Sequence, residues 1–465
     1  MTATTPERAS SFSLDIEKRT ISSSVGEYIG RLRSGEPGAL PSVLGLIVLL
    51  IVFSQVSGQF LTSYNIGNLP SQGAYIAIIG LGLVFVLLLG EIDLSAGTTG
   101  GMAAAFAARA VFSGDLHHAL PAGTYWGLIV GLLAAIGLAV WLRTYIGAVV
   151  VALGLIAVVT NLDKHVIIAT YVAVAIGAAV GILNGFLVAK VGIPSFVVTL
   201  SLFLAWQGVL LFALSSEPIG TTNYGFWFGL TSTNLSPLWS WIFVIVLIAG
   251  YAGLSAYRAI TARKAGLAHD GMDLVLFRGG VLAVVGIALT IFANRNRGPN
   301  QYVKIEGIPW AAAICILLMI ACTFLLSKTG WGRHLYATGG NAEAARRAGI
   351  DVVKMKVTAF TLCSAFGAFG GIMLASSSHS VSLDLGAGNT LLFAVAAAVI
   401  GGTSLFGGRG RPRDAIIGAL VITIIPNGLG LRPNTPAQLQ QVVTGGVLLL
   451  AAAVDAISRR RAAKG

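Results

Sequence analysis

The chain has 465 residues, 55% of them hydrophobic and 10% charged, with a mean hydropathy of +0.84 and a net charge of +12. A soluble protein carries about 25% charged residues, so a water-soluble globular domain is excluded, and with it nucleic acid as the meaning of the positive charge. The apolar runs reach the ~20 residues that a spanning helix needs, and they are continuous rather than alternating, which excludes an outer-membrane barrel. The expectation is an all-α, multi-pass protein of the inner or plasma membrane. Its 59 glycines suit helices that pack closely or break inside lipid.

Residues 1–41 are polar and mixed in charge, with Pro37 and Pro41 before the first apolar run. They read as a cytoplasmic tail rather than a signal peptide. Hydropathy then predicts spans near 42–60, 73–90, 96–112, 124–142, 145–161, 166–189, 196–214, 238–256, 274–293, 308–326, 357–375, 390–406, 414–431 and 439–456. That is about 14, with about 10 as a lower bound. Together they form one transmembrane domain over 42–456, with a cytoplasmic loop at 327–356 and a basic tail at 457–465. With the N-terminus inside, the cytoplasmic segments hold 23 Lys and Arg and the outer segments 5. Basic residues stay on the cytoplasmic side, so both termini are expected there. Arg295, Arg297 and Lys304 form a discordant outer cluster, and the loop 215–237 carries Glu217 alone, with Trp227 and Trp239 nearby as interfacial aromatics.

Polar breaks interrupt the apolar runs. The first is GEIDLS, Gly90 to Ser95. Glu91 and Asp93 are costly in lipid and must face a cavity, a partner or water. Two readings stand: a broken helix lining a translocation route, or a turn in which Asp93 or Ser95 caps the next helix. A second break, VIGGTSLFGGRG, runs from Val399 to Gly410 around Thr403 and Ser404. Each Gly costs a regular helix about 1 kcal/mol against Ala, so a deliberate interruption or a very close helix contact is expected. Asn184-Gly185 and Asn427-Gly428 also follow apolar helices, which hints at internal pseudo-symmetry. Asn184, Thr199, Gln207 and Asn389 complete the intramembrane polar set. Uncharged amides and hydroxyls suit a neutral, hydroxyl-rich solute, although interhelical hydrogen bonding explains any single one of them.

The polar island GRHLYATGGNAEAARRAGI, Gly332 to Ile350, stands between two long apolar runs. Asn341 is a fitting N-cap, Glu343 lies in the first turn, Arg346 and Arg347 in the last, and Gly349 is placed as the stop. Such a rod is roughly 10 Å long, and helices below about 12 residues are marginal alone in water. A capped, charged stub on the rim of a membrane protein implies a docking partner outside the bilayer.

Other chemistry is sparse. Cys315, Cys322 and Cys363 lack CxxC spacing and read as core residues, and the six histidines are scattered apart from His117 and His118, so no metal site is expected. There is no GxxxxGK[ST]. Any ATP must be bound by another chain, no cofactor is expected in this one, and it is not expected to be an enzyme by itself.

GEIDLS, Asn184-Gly185 with the following VGIPSFVVTL, YATGGNAEAARRAGI and GGTSLFGGRG occur in this order. In that combination they resemble the permease subunits of carbohydrate ABC importers, closest to the xylose-type or multiple-monosaccharide branch, over residues 42–461. The resemblance implies a two-fold dimer of permease chains in membrane lipid, two ABC ATPase subunits beneath that hold ATP and Mg²⁺, and an extracytoplasmic sugar-binding protein above. Gly339, Gly340, Asn341, Glu343, Ala344, Arg346, Arg347 and Gly349 then correspond to the coupling helix and its flanks. Glu91, Asp93, Ser95, Asn184, Thr199, Gln207, Asn389, Thr403 and Ser404 are the candidates for the translocation path. The stretches 143–164 and 257–305 exceed the family's core pattern.

Three other classes compete. An ion-coupled carrier explains the spans but leaves the cytoplasmic stub without a role. A polytopic membrane enzyme would require Glu91, Asp93 and His379 to converge. A branched-chain amino-acid permease shares the wider architecture, while the GGTSLFGG and GGNAEAAR forms lean toward sugar.

Overall fold

In a bilayer every backbone N–H and C=O must be satisfied within its own segment, and the apolar runs accordingly fold as helices. The computed structural model describes residues 40–266, 269–300 and 302–432 continuously, with short stretches of the terminal segments. The expected tail at 457–465, most of the tail at 1–41 and much of the span at 439–456 lie outside the described residues. The described helices are α1 (Leu40–Val56), α2 (Ser63–Leu88), α3 (Ala96–Ser113), α4 (Ala122–Trp141), α5 (Tyr145–Val159), α6 (Val166–Phe186), α7 (Ser195–Leu214) and α8 (Gly225–Ser232). They continue with α9 (Pro237–Lys264), α10 (Met272–Asn294), α11 (Trp310–Lys328), α12 (Gly330–Gly340), α13 (Ala342–Arg347), α14 (Val352–Ser378), α15 (Asn389–Gly401) and α16 (Pro412–Gly430). Strands among the described residues are two-residue pairings only.

The protein is therefore all-α and polytopic. Among the described residues nine helices are long and apolar enough to cross a membrane, and α1, α5 and α15 are shorter apolar helices. The expected total of about 14 is not reached by this measure. One reason is α3, expected as an apolar span at 96–112. It is a helix, but one rich in Gly, Ala and Thr, with 14 of its 18 residues buried. Protein rather than lipid surrounds it, so it has no need of a lipid-soluble surface.

Two compact units are distinguished, one built on Leu235–Ile308 and the other on Gly38–Asn234 with Pro309–Arg459. In the larger, α14 is central and packs on α2, α3 and α6. The contacts are backbone on backbone. A Cβ added at Gly371 would collide with the Gly100 carbonyl, one at Gly181 with the Phe360 carbonyl, and one at Gly82 would lie 2.8 Å from the Cys363 carbonyl. At the opposite end of α14 from α13, Ile219–Gly220 pairs antiparallel with Ser380–Val381. There Trp227 is wholly buried, its indole donating to Thr170 Oγ1 at 2.7 Å. It is thus a core residue and not the interfacial aromatic the loop's composition suggested. All three cysteines are buried and unpaired.

In the smaller unit α9 and α10 form a hairpin. Arg278, counted from sequence as lying within a span, pairs with Asp270 at 3.0 Å. Arg297 is only 2% exposed and donates to the Gly307 carbonyl at 2.6 Å. Burial pushes its pKa below the ordinary guanidinium value. Its side chain holds the 297–307 loop together.

Gly371→Val forces α14 off α3, and overpacking of this kind costs about 1–3 kcal/mol. The melting temperature of the purified protein should fall accordingly, while Gly131→Ala, inside α4 with open space around it, should not lower it, since Ala favours a helix over Gly. Asp163, between α5 and α6, is 1% exposed, and one of its carboxylate oxygens has no partner among the described residues. Desolvation raises its pKa from 3.8 to about 6. The folded state holds that proton more tightly than the unfolded chain, so this contribution is full below the lower value and lost as pH rises through the upper one. Asp163→Asn should flatten the fall in melting temperature across that window.

Candidate functional site

The polar island folds as two helices, not one. Thr329 opens α12 by accepting from the Gly332 N–H at 3.1 Å. Asn341 closes α12 and opens α13, its Oδ1 accepting from the Ala344 N–H at 2.9 Å. Glu343 pairs with Arg346 at 3.1 Å and with Arg347 at 3.2 Å. Gly349, at φ 82°, takes the left-handed position that glycine adopts without penalty, and its N–H bonds to the Arg346 carbonyl at 3.0 Å. The predicted cap, charges and stop of α13 are all in place. The preceding α12 was hidden in the sequence because GWGRHLYATGG carries four glycines in eleven residues.

Upstream of the stub, the chain rests on the first break. A Cβ on Gly339 would collide with the Leu88 carbonyl and lie 3.1 Å from Gly408 N, whereas one on Gly340 would meet nothing. Gly408 in turn donates to the Leu88 carbonyl at 2.8 Å, and Tyr336 donates to the Gly410 carbonyl at 2.7 Å. The two glycine-marked breaks and the polar island, far apart in sequence, therefore meet at one junction. Gly90, at φ 74°, makes the sharp turn there, and Glu91 accepts from Lys356 Nζ at 2.5 Å.

Beyond that corner the chain turns inward. Asp93 is wholly buried and accepts from the Ser95 N–H at 2.9 Å, from Ser95 Oγ at 2.7 Å and from Ser364 Oγ at 3.2 Å. Asn184 Nδ2 donates to Ser95 Oγ at 3.1 Å. Thr199 Oγ1 lies 3.3 Å from the Ile92 carbonyl, and Ile92 N–H lies 3.4 Å from Ser195 Oγ. One polar network thus ties the break before α3 to α6, α7 and α14. Three donors to one carboxylate satisfy a group that would otherwise be very costly to bury.

Of the other candidates, Thr403 and Ser404 are buried in the second break, where the Ser404 N–H bonds to the Arg409 carbonyl at 2.9 Å. Gln207 is half-buried on α7, and Asn389 is exposed at the start of α15. Neither joins the network. Ser364 and Lys356 were not singled out from sequence. A lone Ser in an apolar helix and a Lys among other basic residues give no spacing signal toward partners more than 260 residues away. The convergence required of a membrane enzyme is absent, since Glu91 meets Lys356 at one end of α14 and His379 caps the other. At 1.5 Å per residue that separation is about 35 Å. A cavity of about 620 Å³ between α3, α4, α6 and α7 is lined by apolar residues such as Phe106, Leu132 and Trp206, and by none of the path candidates.

The comparisons decide the family. Residues 144–452 match the model of the branched-chain amino acid transport system / permease component. The chain belongs to this permease family. Among relatives, the xylose transport system permease protein XylH of Escherichia coli (strain K12) is 30% identical over 90% of this chain and 92% of its own length. The Haemophilus influenzae protein of the same name is 29% identical over 90% and 96%. The ribose import permease protein RbsC of Escherichia coli (strain K12) is 27% identical over 89% and 92%. No solved structure matches. A permease built this way should feel the difference between two adjacent glycines. Gly339→Ala should destabilise the junction by about 1–3 kcal/mol and reduce transport, and Gly340→Ala should do neither, as read by thermal melting and solute uptake in the same membranes.

Proposed function

We propose that this chain is the membrane-spanning subunit of an ATP-binding-cassette importer that moves a monosaccharide, xylose or another pentose or hexose, inward across the cell membrane. ATP and Mg²⁺ are held by a separate ATPase subunit, and this chain has no catalytic role of its own. The observation that carries the reading is the capped, solvent-exposed α13, which directly follows the Gly339 contact with the two helix breaks. Its charged side chains are more than half exposed, which leaves them free for a groove on a partner. Relatives named for xylose and ribose transport, matched along nearly their whole length, support a sugar as cargo.

In this reading two copies of the chain form the translocation route between them, an extracytoplasmic sugar-binding protein delivers the solute, and both termini lie in the cytoplasm. ATP binding and hydrolysis bias the pair between outward and inward states. Glu91, Asp93, Ser95, Asn184, Thr199, Thr403 and Ser404 belong to the hinge region that opens and closes the route. Gln207 and Asn389, outside that network, are the candidates for contact with the solute.

Affinity purification from native membranes tests this. An ABC ATPase should be recovered with the chain and lost when residues 341–349 are replaced by a flexible linker. Combined Arg346→Glu and Arg347→Glu should abolish uptake while leaving the permease folded in the membrane. Uptake that persists without ATP would make the protein a secondary carrier. Competition by leucine rather than by xylose would move it to amino-acid transport.

A further inference from the structure

The coupling segment has two arms, and both grip the same four residues. Upstream of α13, Gly339 packs against the Leu88 carbonyl, with Gly408 N–H bonded to that carbonyl at 2.8 Å. Downstream, Asp351 caps α14 by accepting from the Lys354 N–H at 2.9 Å, and one turn further on Lys356 Nζ reaches Glu91 at 2.5 Å. The Glu91 and Lys356 side chains are 15% and 24% exposed. In a pair shielded to this degree, removing one partner leaves a poorly hydrated charge behind, a cost that loss of an exposed pair on α13 does not carry.

We infer that the Glu91–Lys356 pair is a latch that transmits movement of the cytoplasmic stub to the helix break, and that Glu91 acts as a positioning residue rather than by touching the solute. The inference rests on the importer reading above. Its mechanical logic is that of a two-point grip. Displacement of α13 carries Gly339 and Lys356 together, and Leu88–Glu91 must follow. The next residues, Ile92 to Ser95, are hydrogen-bonded to α6, α7 and α14. A shift of the corner is therefore passed to three helices at once. Without the ion pair the corner is held from one side only, and stub and break can move independently.

The experiment is a charge swap read as coupling. The assembled permease and ATPase, with the sugar-binding protein, are placed in proteoliposomes, and ATP hydrolysed per xylose moved is measured. Lys356→Glu should raise that ratio roughly fivefold or more, the usual span of a coupling effect, while the ATPase still co-purifies. The double variant E91K/K356E should return to within about twofold of wild type, since reversed charges re-form the pair. An unchanged ratio in K356E overturns the latch. So does a folded, assembled double variant that stays uncoupled, because Glu91 would then be needed as a carboxylate in its own right. If a reversed-charge chain fails to assemble, the neutral set E91Q, K356M and E91Q/K356M is read instead. Equal single effects with no further loss in the double support the latch, and additive effects overturn it. Failure of the wild-type chain to recruit any ATPase is a separate outcome that removes the importer reading itself.

Discussion

The structure depends on the backbone of α14 lying directly against the backbones of α2, α3 and α6. Lipid tails are as apolar as leucine, so burying apolar side chains drives little helix association inside a bilayer, and close van der Waals approach must supply it. Gly100 against Gly371, Gly181 against Phe360 and Gly82 against Cys363 bring main chains together where any Cβ would intrude. That closeness also sets what α3 can be. Enclosed on its sides, it dispenses with a lipid-soluble surface, and its short side chains fill a space too narrow for leucine or phenylalanine.

Close packing around α14 makes the polar break before α3 tolerable. An aspartate inside a membrane protein is sustainable only if the protein supplies the donors that water would have supplied. Ser95 comes from the break itself, Ser364 from the face of α14 turned toward it, and Asn184 from α6 by way of Ser95. The two readings of GEIDLS, a lined route or a capped turn, are therefore not strict alternatives. Asp93 bonds back to the Ser95 N–H as a turn residue does, and the same carboxylate ties the start of α3 to α14 and, through Ser95, to α6.

What could be read from the sequence follows from the range of each interaction. Class, helix positions and the cap, charges and stop of α13 depend on contacts within a turn or on local hydropathy, and they were legible. Asn341, Glu343, Arg346, Arg347 and Gly349 act within nine residues of one another. Long-range partners were not legible. Lys356 looked like one more basic residue of a cytoplasmic loop until the fold set it beside Glu91, and Arg297 looked like a topological discrepancy until burial gave it a structural task. Gly339, Gly408 and Gly90 each carried the mark of a break or turn. Nothing in their spacing says that they meet, because glycine announces permissiveness without naming what approaches.

The stub itself is energetically slight. Six residues make a single helical unit of marginal stability, and its exposed ion pairs contribute about 0.3–0.5 kcal/mol each. A free segment of that kind would fray. What stiffens it is its setting: α12 ends on it through Asn341, Ala345 is buried beneath it, and α14 begins only a few residues later under its own Asp351 cap. The stub can be short because both of its ends are fixed to longer helices. Its outward face can then be given over to charge, available to a partner, without any loss of order in the inner face, where Ala345 is buried.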